Sequence, residues 1–135
     1  MLTTETVERW LREDVGHRDV TNDVPGEATG RLVTGEAGVV AGLDAAVAVF
    51  DSLGVEARPA VDDGDAVEAG TAVLETTGPA RQTLRGERVA VNVVGHAAGV
   101  ATRTRRAVEA AREANPDARV AATRKTTPGL RGVEK

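Results

Sequence analysis

Residues 80 to 114, ARQTLRGERVAVNVVGHAAGVATRTRRAVEAAREA, contain no proline, and their apolar residues recur at spacings of three and four. That periodicity puts the apolar side chains on one side of a helix. The spacing therefore predicts one long helical segment, stopped at Asn115-Pro116 because a residue before proline is pushed out of the helical region. Gly95 and Gly99 within it mark either a kink or a close helix–helix contact. The long helix must find a core to pack on, and the chain offers few large side chains for one. Hydrophobic residues make up 41% of the 135 residues, but the aromatics are Trp10 and Phe50 alone. The core has to be built from Ala, Val and Leu, whose small volumes demand close approach of the elements. The length suits one ordinary domain, or a small domain and part of another.

The rest of the chain mixes helix and strand. Residues 4 to 15 read as a helix, with Val7, Trp10, Leu11 and Val15 on one stripe. GHRDVTNDVPG breaks the pattern. ATGRLVTGEAGVVAG reads as two short strands around residues 35 to 38. LDAAVAVFDSLG is a second helix with Leu43, Val47, Phe50 and Leu53 on one side and Gly54 placed to cap its end. VEARPAVDDGDAVEAGTAVLETTG reads as strand, acidic turn, short strand and strand, and ARVAATR as a new strand after the long helix. The order of elements predicts an α+β sandwich.

Charge is unevenly spread. The net charge is −4, which argues against general binding of nucleic acid through field alone. Carboxylates dominate the first 75 residues, whereas the segment after Pro79 is rich in arginine. Of 17 basic residues, 15 are Arg, and both lysines, Lys125 and Lys135, fall in the final segment. The absence of cysteine removes disulfides, thiolate metal sites and a Cys nucleophile. MLTTETVERWLRED lacks the basic-then-apolar pattern of a secretory signal, and no apolar run is long enough to span a bilayer. The expected setting is the cytoplasm, away from membranes.

Several local patterns reduce to structure. GDAVEAG (64–70) resembles the hairpins of biotinyl and lipoyl carrier domains, but no lysine precedes Lys125 to hold such a cofactor, so a turn using glycine is the better reading. The acidic cluster of Asp62, Asp63, Asp65 and Glu68 lacks the ligand spacing of a calcium loop and reads as a solvated turn. His17 and His96 are too isolated to form a metal pair, and His96 is expected to be a hydrogen-bonded packing residue. Arg88 is different. If the long helix is buried, a guanidinium there needs a partner, and Glu87 cannot serve because adjacent residues do not face each other on a helix. Arg88 either pairs with another element or stands ready for an anionic ligand.

The closing stretch VAATRKTTPGLRGVEK (120–135) sets cations and hydroxyls straight after an apolar strand and ahead of a Pro-Gly turn. In parallel α/β barrels the active site is built at the C-terminal ends of strands. Neighbouring strand residues point to opposite faces, so Arg124 and Lys125 would reach different parts of one site. Arginine forks onto carboxylates and lysine serves phosphates as a point charge. This equipment suits a polyanionic substrate.

EDVGHRDVT (13–21), GVVAG (38–42), GDAVEAG (64–70), GERVAVNVVGHAAGVAT (86–102) and ATRKTTPGLRGVEK (122–135) occur in this order, and together they closely resemble quinolinate phosphoribosyltransferases. TRKTTPGLR is the specific element. The resemblance implies an N-terminal α/β sandwich domain, residues 1–115, followed by the first strand of an α/β barrel that is cut off, residues 116–135. It implies a homodimeric enzyme that joins quinolinate to phosphoribosyl pyrophosphate with Mg²⁺, giving nicotinate mononucleotide, pyrophosphate and CO₂ for NAD biosynthesis. By matched position, Arg88 is the arginine that reaches quinolinate in the neighbouring subunit's site, and Thr123, Arg124 and Lys125 bind substrate, with Lys125 closest to the chemistry. The family usually has an acidic residue where Ala122 stands and often Ser where Ala98 stands, and both replacements remove polar groups near the site. Its later barrel strands, phosphate loops and metal-binding acids lie beyond this sequence, so the chain alone is expected to be inactive. The alternatives are a related phosphoribosyltransferase of the same architecture and a non-catalytic dimerising sandwich module.

Overall fold

A computed structural model of the chain describes residues 2–15, 24–123 and 125–135. The expected helix is present as α1, Thr4–Val15. Strands β1 (Glu27–Val33) and β2 (Gly38–Val39) follow, then α2 (Leu43–Ser52), β3 (Glu56–Pro59), β4 (Ala66–Val67) and β5 (Ala72–Pro79). The long helix α3 is Ala80–Ala114, and a short α4 is Arg131–Glu134. β5 lies between β1 and β3 in an antiparallel sheet, while β2 and β4 form a separate antiparallel ribbon. Strands β1 and β2, consecutive in the chain, thus join different sheets. Along β5 burial alternates, with Leu74, Thr76 and Gly78 inward and Glu75, Thr77 and Pro79 outward, as a sheet with one covered face requires.

Helix α2 is the centre of the molecule, and it is buried on two sides rather than one. Leu43, Ala46 and Phe50 join Val55, Val73, Leu74, Ala90 and Val94 in a cluster over the sheet. Ala45 and Val49 face the other way, into a second cluster with Val7 and Leu11 of α1 and Val89 and Val93 of α3. Val47 and Leu53, expected on the apolar stripe, are only partly buried. Phe50 is the single buried aromatic among the described residues, and Trp10 packs half-buried at the edge of the second cluster. The end of α2 is closed by Gly54 at φ 71°. Its amide donates to the Asp51 carbonyl and that of Val55 donates to Phe50, the paired bonds of a Schellman cap. At the other end the amide of Leu43 donates to Oδ1 of Asp63 at 3.2 Å. The acidic turn is therefore part of the fold. Asp65 accepts from the Asp62 amide at 2.9 Å, and Arg105 donates to the Gly64 carbonyl at 3.3 Å.

Helix α3 runs unbroken through Gly95 and Gly99, and neither glycine has a neighbour where a Cβ would stand. Close helix packing falls instead at Gly86, where a Cβ would lie 3.0–3.1 Å from Leu53 and the Phe50 ring, and at Gly42, where it would lie 2.9 Å from Ala97. Gly86, Val89, Ala90, Val93, Val94 and Ala97 form its buried stripe, and no residue of α3 beyond Ala97 is buried. The last turns leave the core, held by contacts such as the Thr102 hydroxyl accepting from the Val39 amide at 2.9 Å. No helix is long and apolar enough to cross a membrane among the described residues.

Residues 118–123 do not form the expected buried strand. They carry no ladder, and Val120 is 46% exposed. A strand exists through its neighbours' hydrogen bonds, and none of the described strands runs alongside.

The two kinds of glycine in α3 give opposite predictions. Gly95→Ala adds a helix former in open space and is expected to raise stability by about 0.5–1 kcal/mol. Gly86→Ala forces the packed Phe50 ring to move and is expected to lower it by about 1 kcal/mol or more. Urea denaturation of the two variants checks both signs.

Candidate functional site

Arg88 stands on α3 beside the buried Val89, but on the outer face of the helix. Its side chain is 70% exposed, and its Nη1 lies 3.6 Å from Oδ1 of Asp14 on α1. The conditional burial considered from the sequence is therefore not realised. The guanidinium keeps most of its contact with water, and one long ion pair to a neighbouring helix orients it. Such a pair contributes little to stability. Asp14 lies 74 residues away in sequence, from Asp14 to Arg88, so no local spacing rule could have linked the two.

The closing segment is ordered by short-range bonds. The Lys125 amide donates to the Thr123 hydroxyl at 3.1 Å, a turn of the kind hydroxyl side chains favour. Thr127 to Leu130 close the Pro-Gly turn read from the sequence. The Leu130 amide donates to the Thr127 carbonyl at 3.0 Å, and Gly129 has φ 83°. Proline at the second position and a positive-φ glycine at the third are the residues of a type II turn. Thr123 and Lys125 are thus brought together, and both side chains are exposed. Arg124 lies outside the described residues, as does His17. No contact joins Arg88 to Thr123 or Lys125; its ion-pair partner is on α1.

After the turn, α4 folds back on α3. Val133 packs against the cluster that holds Val89 and Val93. Glu134 is 9% exposed and uses both carboxylate oxygens. Oε1 meets Nε2 of His96 at 2.8 Å, and Oε2 accepts from the Thr127 amide at 3.0 Å. Bonds from the Thr127 side chain and then from His96 hold the Glu134 carboxyl below the ordinary carboxylate range. His96 is hydrogen-bonded, as expected, yet 39% exposed rather than packed away. Glu134 was not singled out from the sequence, where it is one carboxylate in a polar tail; only the return of α4 gives it partners.

Two hollows flank α3. One, of about 670 Å³, lies between α1, α3 and residues 128–133, and Arg9, Trp10, Asp14, Asn92 and His96 line it. The other, of about 770 Å³, lies over the half-buried Ala98 between α3 and β2, with Val91, Gly99, Arg103 and Arg106 at its walls. Among the described residues no group of three or more His, Asp or Glu side chains is placed to hold a metal ion.

The family model for the quinolinate phosphoribosyl transferase N-terminal domain matches residues 6–98, and that for the C-terminal domain matches residues 100–135. A probable nicotinate-nucleotide pyrophosphorylase [carboxylating] of Methanothermobacter thermautotrophicus is 36% identical over 97% of this chain and 48% of its own length. The nicotinate-nucleotide pyrophosphorylase [carboxylating] of Homo sapiens is 39% identical over 96% of this chain and 44% of its own. Among solved structures, NadC from Streptococcus pyogenes superposes with a TM-score of 0.80 at 38% identity, covering 99% of this chain and 51% of that one. The nicotinate-nucleotide pyrophosphorylase from Ehrlichia chaffeensis gives 0.89 at 29% identity, covering all of this chain and 51% of that one. The chain spans about half the length of the curated relatives it matches. It belongs to the quinolinate phosphoribosyl transferase family.

Proposed function

We propose that this chain is the N-terminal part of an enzyme that transfers the phosphoribosyl group of phosphoribosyl pyrophosphate to quinolinate with decarboxylation. The observation that carries the reading beyond family membership is Arg88, a guanidinium held out from a rigid helix at 70% exposure with one long contact. An arginine so placed is free to fork onto a carboxylate brought by another surface. We assign that surface to the site of a second subunit in a homodimer, where Thr123, Arg124 and Lys125 of that subunit gather the substrates. The domain division at residues 115/116 belongs to the same proposal and rests on the end of α3 at Ala114. A cytoplasmic setting fits the water-soluble anionic substrates.

The chemistry asks for charge placement more than for covalent catalysis. The pyridine nitrogen forms a bond to C1 of the ribose as the bond from C1 to pyrophosphate breaks. The carboxylate next to the nitrogen leaves as CO₂, the pyridinium accepts its electron pair, and a proton from solvent takes its place. Arg88 and Arg124 would hold the carboxylates, and Thr123 would add a hydroxyl donor. Lys125 would offset negative charge between the two substrates. Bringing the substrates into line from fixed cations lowers the barrier through orientation and preorganised charge. Mg²⁺ enters as the chelate of the pyrophosphate donor, as part of that substrate, and no residue of this chain is assigned to it.

In the full-length enzyme, Arg88→Ala is expected to lower kcat/KM for quinolinate by about a hundredfold or more, the scale of losing one charged clamp. The same change should move the unfolding free energy by less than about 1 kcal/mol, because the Arg88 guanidinium is mostly exposed and its pair to Asp14 is long. Subunit mixing tests the shared site. Arg88→Ala and Lys125→Ala proteins, each inactive alone, should recover roughly a quarter of wild-type turnover after random pairing in a two-fold dimer. Failure of the mixture to recover any activity would assign Arg88 to its own subunit's site.

A further inference from the structure

The His96–Glu134 pair joins α3, which carries Arg88, to α4, which follows the segment of Thr123 and Lys125. His96 is on α3, eight residues beyond Arg88, or about 12 Å along the helix axis at the usual rise. Glu134 is the last residue of α4, and its second oxygen holds the Thr127 amide, two residues past Lys125. Lys125 thus sits between two local anchors. The earlier one, the Thr123 hydroxyl on the Lys125 amide, lies within the segment itself. The later one passes through the Glu134 carboxylate to α3.

We propose that His96 and Glu134 are positioning residues, a clasp that fixes the Lys125 segment onto α3 by holding the Thr127 amide. The inference rests on the functional reading above for its consequence, but the clasp itself is a matter of structure. Its physical basis is a carboxylate shared between two donors on different elements. Bonds to an ionised acceptor are the stronger kind, and this carboxylate is mostly withdrawn from water. Val133 supplies the apolar side of the same contact. Residues 118–123 carry no strand ladder, so no sheet holds the segment from the other direction. The bond needs a proton on Nε2 of His96, which either the Nε2–H neutral ring or the imidazolium provides.

The clasp has a defined acid limit. Because the Glu134 carboxyl is held below its ordinary range, its contribution is present above the usual carboxylate pKa and is lost as pH falls through the lowered folded value. The charged groups around it are Arg9, Glu13 and Asp14 of α1, which line one hollow beside His96, Glu36, Arg103 and Arg106, which line the other with His96, and Arg131 and Lys135, close to Glu134 in sequence. An anchored Thr127 amide is therefore expected to keep its protection through mildly acidic pH.

Hydrogen exchange and steady-state kinetics on the full-length enzyme test the proposal together. His96→Ala should speed exchange in residues 125–130 by roughly tenfold or more and lower kcat/KM by a similar factor, as for loss of a bond to a charged group. Exchange in the buried turns of α3, residues 86–97, should stay unchanged. His96→Gln places an amide donor near the Nε2 position and should restore most of both losses. Glu134→Gln, which removes the charge from the other side, should fall in the direction of His96→Ala. Unchanged exchange at Thr127 in His96→Ala overturns the clasp. Faster exchange with full turnover overturns the positioning role. If the wild-type enzyme itself turns over no quinolinate, the functional reading has failed, and the exchange data alone decide the clasp.

Discussion

The contact of α2 with α3 is the constraint on which the rest depends. Two helices meet where one lacks a side chain, at Gly86 against Phe50 and Leu53, and at Gly42 against Ala97. With a core made of Ala, Val and Leu, this approach is how sufficient apolar surface leaves water. The contact fixes α2 between the sheet and α1, because its two buried faces serve separate clusters. It also fixes the azimuth of α3. Once Val89 and Ala90 point inward, Arg88 must point out. The exposure of the candidate arginine is a consequence of packing two residues away.

The same logic extends to the C-terminal segment. The stripe that buries Val93 on α2 brings Val133 against the cluster from the outside. That contact sets α4 beside α3, within reach of His96. The polar pair and the apolar contact support each other, since a carboxylate kept from water is stable there only when its bonds are made. Structure and proposed chemistry thus share one scaffold. α3 carries a guanidinium outward at one end of its buried stripe and receives the lysine-bearing segment at the other.

How much of this was legible depended on the range of the signal. Helix α3 could be read to its last residues because periodicity, the missing prolines and Asn115-Pro116 are all local. Gly54 as a cap and Pro128-Gly129 as a turn were legible for the same reason. The two faces of α2 were not, because a helix of Ala and Val shows little contrast between a side that meets a sheet and one that meets a helix. Gly95 and Gly99 drew attention as small residues, yet the close contact lies at Gly86; small size permits approach without causing it. The strand expected at 118–123 needed neighbours that the described residues do not supply. Thr123, Arg124 and Lys125 were legible as a motif, whereas Asp14 and Glu134 acquired roles through contacts across long stretches of chain.

The central claim is that the cations of this chain serve a decarboxylating phosphoribosyl transfer to quinolinate. The most direct measurement is the stoichiometry of products from the full-length enzyme given quinolinate, phosphoribosyl pyrophosphate and Mg²⁺. The account predicts CO₂ and pyrophosphate released in equal amounts, each matching the quinolinate consumed, with none formed when nicotinate replaces it. Pyrophosphate release without CO₂, or turnover of nicotinate in place of quinolinate, would contradict it.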